Sequence, residues 1–81
     1  MEREELEETV KQLLIEKLEI DRARIKPEAN LKEDIGIDNL DFIDLVFIIE
    51  RRFNFKNNIK EMAKINKFYQ LCDYIQRMTT K

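Results

Sequence analysis

The sequence predicts an all-α domain: a bundle of four helices, three longer and one short, with a long connection between the first two. Three observations carry this expectation. Apolar residues recur at helical offsets in three separate segments. One glycine and one proline leave too few tight turns for an all-β fold. With 43% hydrophobic and 40% charged residues, the chain suits a folded helical domain rather than a disordered tail, which would be poorer in Leu, Ile and Phe. A chain of 81 residues holds one modest core, so residues 1–81 are read as a single domain.

The first helix is expected from Glu2 to Leu18. Leu6, Val10, Leu13, Leu14 and Leu18 share one helical face, and Glu2, Glu4, Glu5, Glu7 and Glu8 complement the positive end of the macrodipole. Asp21 to Gly36 shows no sustained period, and the Lys26-Pro27 step disfavours helix at Lys26. A connection longer than about 12–15 residues is uncommon in a compact domain, so this one is expected to be pinned or functional. Ile25, Leu31 and Ile35 are the side chains expected to tuck back onto the core.

The second helix is expected to begin at Asp38 and run to about Phe53. Asp38 can cap it, Asp41 three positions on resembles the far half of a capping box, and Gly36 relaxes the entry turn. Leu40, Ile43, Val46, Phe47, Ile49 and Phe53 cover more than one stripe, which suggests a central helix touched from several sides. Asn54 to Asn58 ends it. A short helix follows over Ile59 to Ala63, then a last helix over Asn66 to Met78, with Asn66 as its cap and Phe68, Leu71, Cys72 and Ile75 on its apolar face.

Composition narrows the function classes. The lone cysteine, Cys72, cannot form an internal disulfide, and with no histidine there is no zinc set; a reducing cytoplasmic setting and a buried thiol are expected. The opening MEREELEETV lacks the apolar stretch of a signal peptide, and no run approaches membrane-spanning length, so no stable membrane association is expected. Asp41 and Asp44 lie three apart, but no His, Ser or Cys stands near as a nucleophile, so no catalytic residue is assigned. The closing bidentate glutamate of a calcium loop is missing as well, and no metal is expected.

Charge is unevenly spread. From Glu33 to Glu50 every charged residue is acidic, whereas Arg51, Arg52, Lys56, Lys60, Lys64 and Lys67 follow with only Glu61 opposing them. That basic stretch has no Gly-rich loop, no zinc pattern and no interleaved exposed aromatics, and the pI is about 5.2, so it reads as a solvated flank rather than a nucleic-acid face. The carboxylates Asp34, Asp38, Asp41 and Asp44 read either as dipole complements on a solvated face or as a recognition surface for basic patches on partners. Phe42, Phe47 and Ile48 turn away from the face of Leu40, Ile43 and Ile49; they are covered by other elements, line an apolar slot, or touch a partner, with Phe42 the leading exposed contact.

EDIGIDNLDFIDLV (Glu33 to Val46) resembles the EDLGxDSLxxVELV of the acyl carrier proteins. IERRF (Ile49 to Phe53), AKI (Ala63 to Ile65) and CDYI (Cys72 to Ile75) continue the likeness at matching distances with no insertion, across nearly the whole chain. The resemblance implies a four-helix carrier bundle, non-enzymatic and monomeric. It also implies a role in fatty-acid, polyketide or related secondary metabolism, docking on acyl-transfer or synthase enzymes with basic patches through Asp38, Leu40, Asp41, Phe42 and Asp44. Family members carry 4′-phosphopantetheine on the serine of DSL, and this chain has Asn39 there. A carboxamide lacks the hydroxyl oxygen that attacks phosphorus, so no cofactor is expected as written, and 4′-phosphopantetheine only if residue 39 were serine. No serine occurs anywhere in the chain. Two answers to Asn39 stand: an unloaded relative of a carrier, natural or engineered, or a helix cap contributing about 0.5–1 kcal/mol in a natively unmodified scaffold or regulatory interaction module. The basic flank, and NNI (Asn57 to Ile59) in place of the frequent IPD, depart from the family and point to different partner enzymes.

Overall fold

The computed structural model describes residues 1–80, which form four α-helices: α1 (Arg3–Leu18), α2 (Asn39–Phe53), α3 (Ile59–Ala63) and α4 (Phe68–Thr79). Three are long and one is short, as the periodicity predicts. α1 packs against both α2 and α4, burying Leu6, Val10 and Leu14 against Leu45, Ile49, Leu71 and Ile75. Each aliphatic side chain removed from water in this way contributes about 1.5–3 kcal/mol. Arg3 ties the outer seam of α1 and α4, with a guanidinium nitrogen 2.7 Å from a carboxylate oxygen of Asp73 and another donating to Gln76 Oε1 at 2.8 Å.

The long connection is pinned. Ile25, Leu31 and Ile35 are buried as expected, and Ile37, which the sequence pattern did not mark, is buried with them. The segment also contains local structure that aperiodicity hid: a 3₁₀ turn at Arg22–Arg24 and one π-helical turn at Leu31–Ile35. Arg22 holds the first of these to α1 through Glu8, 2.7 Å away, and that contact lowers the Glu8 carboxyl below its ordinary range. The second is capped reciprocally. Asn30 Oδ1 accepts from the N–H groups of Lys32 and Glu33, while Asp34 Oδ2 accepts from the N–H of Asn30 at 2.8 Å. Gly36 closes the turn at φ 94°, a left-handed conformation that favours glycine.

The connection then lies along the start of α4. Leu31 N–H donates to Asn66 O, Phe68 N–H to Ala29 O, and Tyr69 N–H to Pro27 O, at 2.8–3.0 Å. The carbonyls of Ala29 and Pro27 satisfy first-turn N–H groups of α4 that no intrahelical partner can reach. Asn66 is therefore not the cap expected of it. α4 starts at Phe68, and the N–H groups of Asn66 and Lys67 both donate to Gln70 Oε1, so the longer side chain reaches back and does the work at this end.

Candidate functional site

Asp38 is the N-cap of α2: its Oδ1 accepts from the N–H of Asp41 at 2.8 Å. Asn39 is the first helical residue and is exposed at the helix tip. It stands one position too late to cap, so the capping answer to Asn39 fails on geometry. Of the four carboxylates, Asp34 and Asp38 are engaged by backbone N–H groups, Asp41 is half-buried, and Asp44 is exposed. Dipole complement and surface charge are thus divided among them rather than shared.

The apolar residues of α2 fall into two arcs. Leu45, Val46 and Ile49 enter the core, whereas Leu40, Ile43 and Phe47 point outward, 74%, 53% and 60% exposed. Ile43, read with the inward face of Ile49, is turned outward, as is Leu40, which the resemblance assigns to docking; α1 packs on the opposite side of the helix. Phe42, expected as the exposed contact, is half-buried and packs against the core. It lines a cleft of about 310 Å³ beside Asn39, with Ile37 and Leu45 on its near wall and Met62 and Ile65 across from them. The slot rather than the outer surface is the place of Phe42.

A buried polar clasp holds the far wall in place. Asn57, 7% exposed, donates from Nδ2 to Val46 O at 2.7 Å. Its Oδ1 accepts from the Tyr74 hydroxyl at 2.9 Å, and that hydroxyl accepts from the N–H of Asn58 at 2.8 Å. Glu50 Oε2 takes the N–H of Asn57 at 3.0 Å. Burial raises the Tyr74 hydroxyl above its ordinary pKa. Asn58 in turn caps α3 through Glu61 N–H, so the α2–α3 connection, α3 and α4 are joined at one point. In the sequence, Asn54 to Asn58 reads as a helix end and NNI as a departure from the family; neither reading marks Asn57 as a buried joint.

Burial pushes the Cys72 thiol up to about 12, which leaves it protonated and without nucleophilic use. Among the described residues, no helix is long and apolar enough to cross a membrane, and no group of three His, Cys, Asp or Glu side chains is placed to hold a metal ion.

A family described as "Phosphopantetheine attachment site" matches residues 8–75. Acyl carrier proteins of Buchnera aphidicola subsp. Acyrthosiphon pisum, strains Tuc7 and APS, are each 33% identical over 76 residues, covering 94% of this chain and 95% of theirs. The chain belongs to the acyl carrier protein family. The crystal structure of an acyl carrier protein from Thermotoga maritima superposes with a TM-score of 0.82 at 32% identity, over 96% of this chain and 91% of that one. The all-α carrier fold is therefore this chain's fold, and the chain is a carrier-family protein, not an enzyme.

Proposed function

We propose that this chain is a carrier-like module of fatty-acid, polyketide or related biosynthesis that docks on acyl-transfer or synthase enzymes through the start of α2. We further propose that it is not loaded with phosphopantetheine while residue 39 is asparagine. The observation that carries the reading is the position of Asn39: first residue of α2, exposed, beside the apolar cleft lined by Phe42. A helix N-terminus is where exposed N–H groups and the macrodipole favour a phosphate. The side chain does not fit covalent attachment, because a phosphodiester needs a hydroxyl oxygen and the carboxamide nitrogen has its lone pair delocalised. Asp38, Leu40, Asp41 and Asp44 surround the tip as the docking group, and Phe42 serves the cleft. The protein acts as a cytoplasmic monomer.

The test is direct. The chain and an Asn39→Ser variant are incubated with coenzyme A and a broad-specificity phosphopantetheinyl transferase, and intact masses are recorded. Mass gain in the serine variant alone supports a carrier scaffold. Gain in neither assigns the natively unmodified interaction module, and gain in the unaltered chain overturns the unloaded state.

A further inference from the structure

The outward face of α2 carries both signs of charge in a fixed order. At about 100° per residue, Leu40, Ile43, Asp44, Phe47 and Arg51 fall within roughly 100° of arc, opposite the buried Leu45 and Ile49. The N-cap Asp38 precedes this face, Asp44 lies more than a turn in, between Ile43 and Phe47 on the exposed apolar ridge, and Arg51 stands at the far end. Lys56 joins Arg51 around a shallow depression also lined by Asn54, Phe55 and Glu50, whose carboxylate accepts from the N–H of Asn57. Among the described residues neither Arg51 nor Lys56 enters an ion pair, whereas Arg3, Arg22 and Arg77 each do. Arg52 lies round the helix, over the Phe53 ring at 5.4 Å, and is not part of this face.

We infer that this face docks a helix of a partner protein that bears basic side chains opposite Asp38 and Asp44 and acidic ones opposite Arg51 and Lys56. The inference rests on the docking reading above and narrows it. A uniformly basic patch would gain at the tip of α2 and meet like charge at its end, and such mismatches at an interface reject partners. From Leu40 to Arg51 the ridge runs about 16 Å at 1.5 Å per residue. That length suits about three turns of a single helix packed ridge into groove. Three exposed apolar side chains make a small contact of the transient kind, in which charge order rather than area selects the partner.

Three synthetic amphipathic peptides of about four helical turns test this, sharing one leucine stripe. One carries lysines at one end and glutamates at the other, one only lysines, one only glutamates. Each is titrated into the isotope-labelled protein and followed by amide shifts along α2, which also report that the fold persists. The mixed peptide should bind tightest, by roughly tenfold over the all-lysine one, the effect of two exposed charge pairs. In an Arg51→Glu, Lys56→Glu variant the all-lysine peptide should become the preferred one. Equal or tighter binding of the all-lysine peptide to the unaltered protein overturns the charge order while docking at α2 stands. No α2 shift with any peptide overturns helix docking itself, and the loading experiment still measures the carrier reading. Sedimentation showing a dimer of the protein alone, abolished by the same two reversals, gives the face to a second copy and also overturns the inference.

Discussion

Replacing Asn57 with alanine should take away a large part of the stability of this domain. The change deletes two buried side-chain hydrogen bonds, to Val46 O and from the Tyr74 hydroxyl. Each is worth about 0.5–1.5 kcal/mol net, and the hydroxyl hydrogen of Tyr74 is left in a dry site where stranding a polar group costs about 1–3 kcal/mol. Val46 O keeps its helical partner and so adds little. The loss is then about 2–3 kcal/mol, against the roughly 5 kcal/mol at the low end for small domains. Thermal unfolding followed by circular dichroism should show Tm falling by roughly 10–20 °C. Tyr74→Phe keeps the ring and its edge contact with Phe55, 6.1 Å between centroids, and should cost about 1–2 kcal/mol. In the double variant the two losses should fall short of additivity by about 1 kcal/mol, since both remove one shared bond. A loss below about 0.5 kcal/mol for Asn57→Ala, or strict additivity, would refute the clasp as the joint between α2, α3 and α4.

Asp38→Ala should lower stability by about 1 kcal/mol in urea titration while Asp38→Asn keeps most of it, because either oxygen can accept from Asp41 N–H. Cys72 should resist a thiol reagent at pH 8 until the protein is unfolded, and rapid labelling of the native state would contradict its burial. Its raised pKa favours the protonated folded state. The stabilisation is complete below the ordinary value of 9.0 and is lost as pH rises from there toward about 12. The slope is at most about 1.4 kcal/mol per unit, and Cys72→Ala should flatten it.

Local signals were legible wherever one element settled its own structure. The offsets of Leu6, Val10 and Leu14 specify α1 and Asp38 specifies the start of α2, whereas the cap of α3 by Asn58 shows only in the structure. What the sequence left open depends on neighbours. α2 has two apolar arcs of similar character, and only packing decides that Leu45 and Ile49 go in while Leu40 and Phe47 stay out. The start of α4 was misplaced at Asn66 because its N–H groups are met by Pro27 and Ala29, from a segment that local rules cannot see. Residue 39 was legible as chemistry, since an amide is not a hydroxyl at any position. Its failure to cap is a matter of one step along the helix, which the pattern alone did not resolve. Asn57 carried no periodic signal, and its value lies entirely in the distant Tyr74.

The antiparallel bridge between Asn30 and Lys67 joins the segment just ahead of α2 to the threshold of the final helix. A nascent chain emerging from the ribosome would have α1 and α2 available long before residues 66–69 exist to receive that segment. The tip bearing Asn39 therefore acquires its fixed approach only once residues 66–69 have been made. A product cut before residue 66 would present α2 without that support for its entry segment.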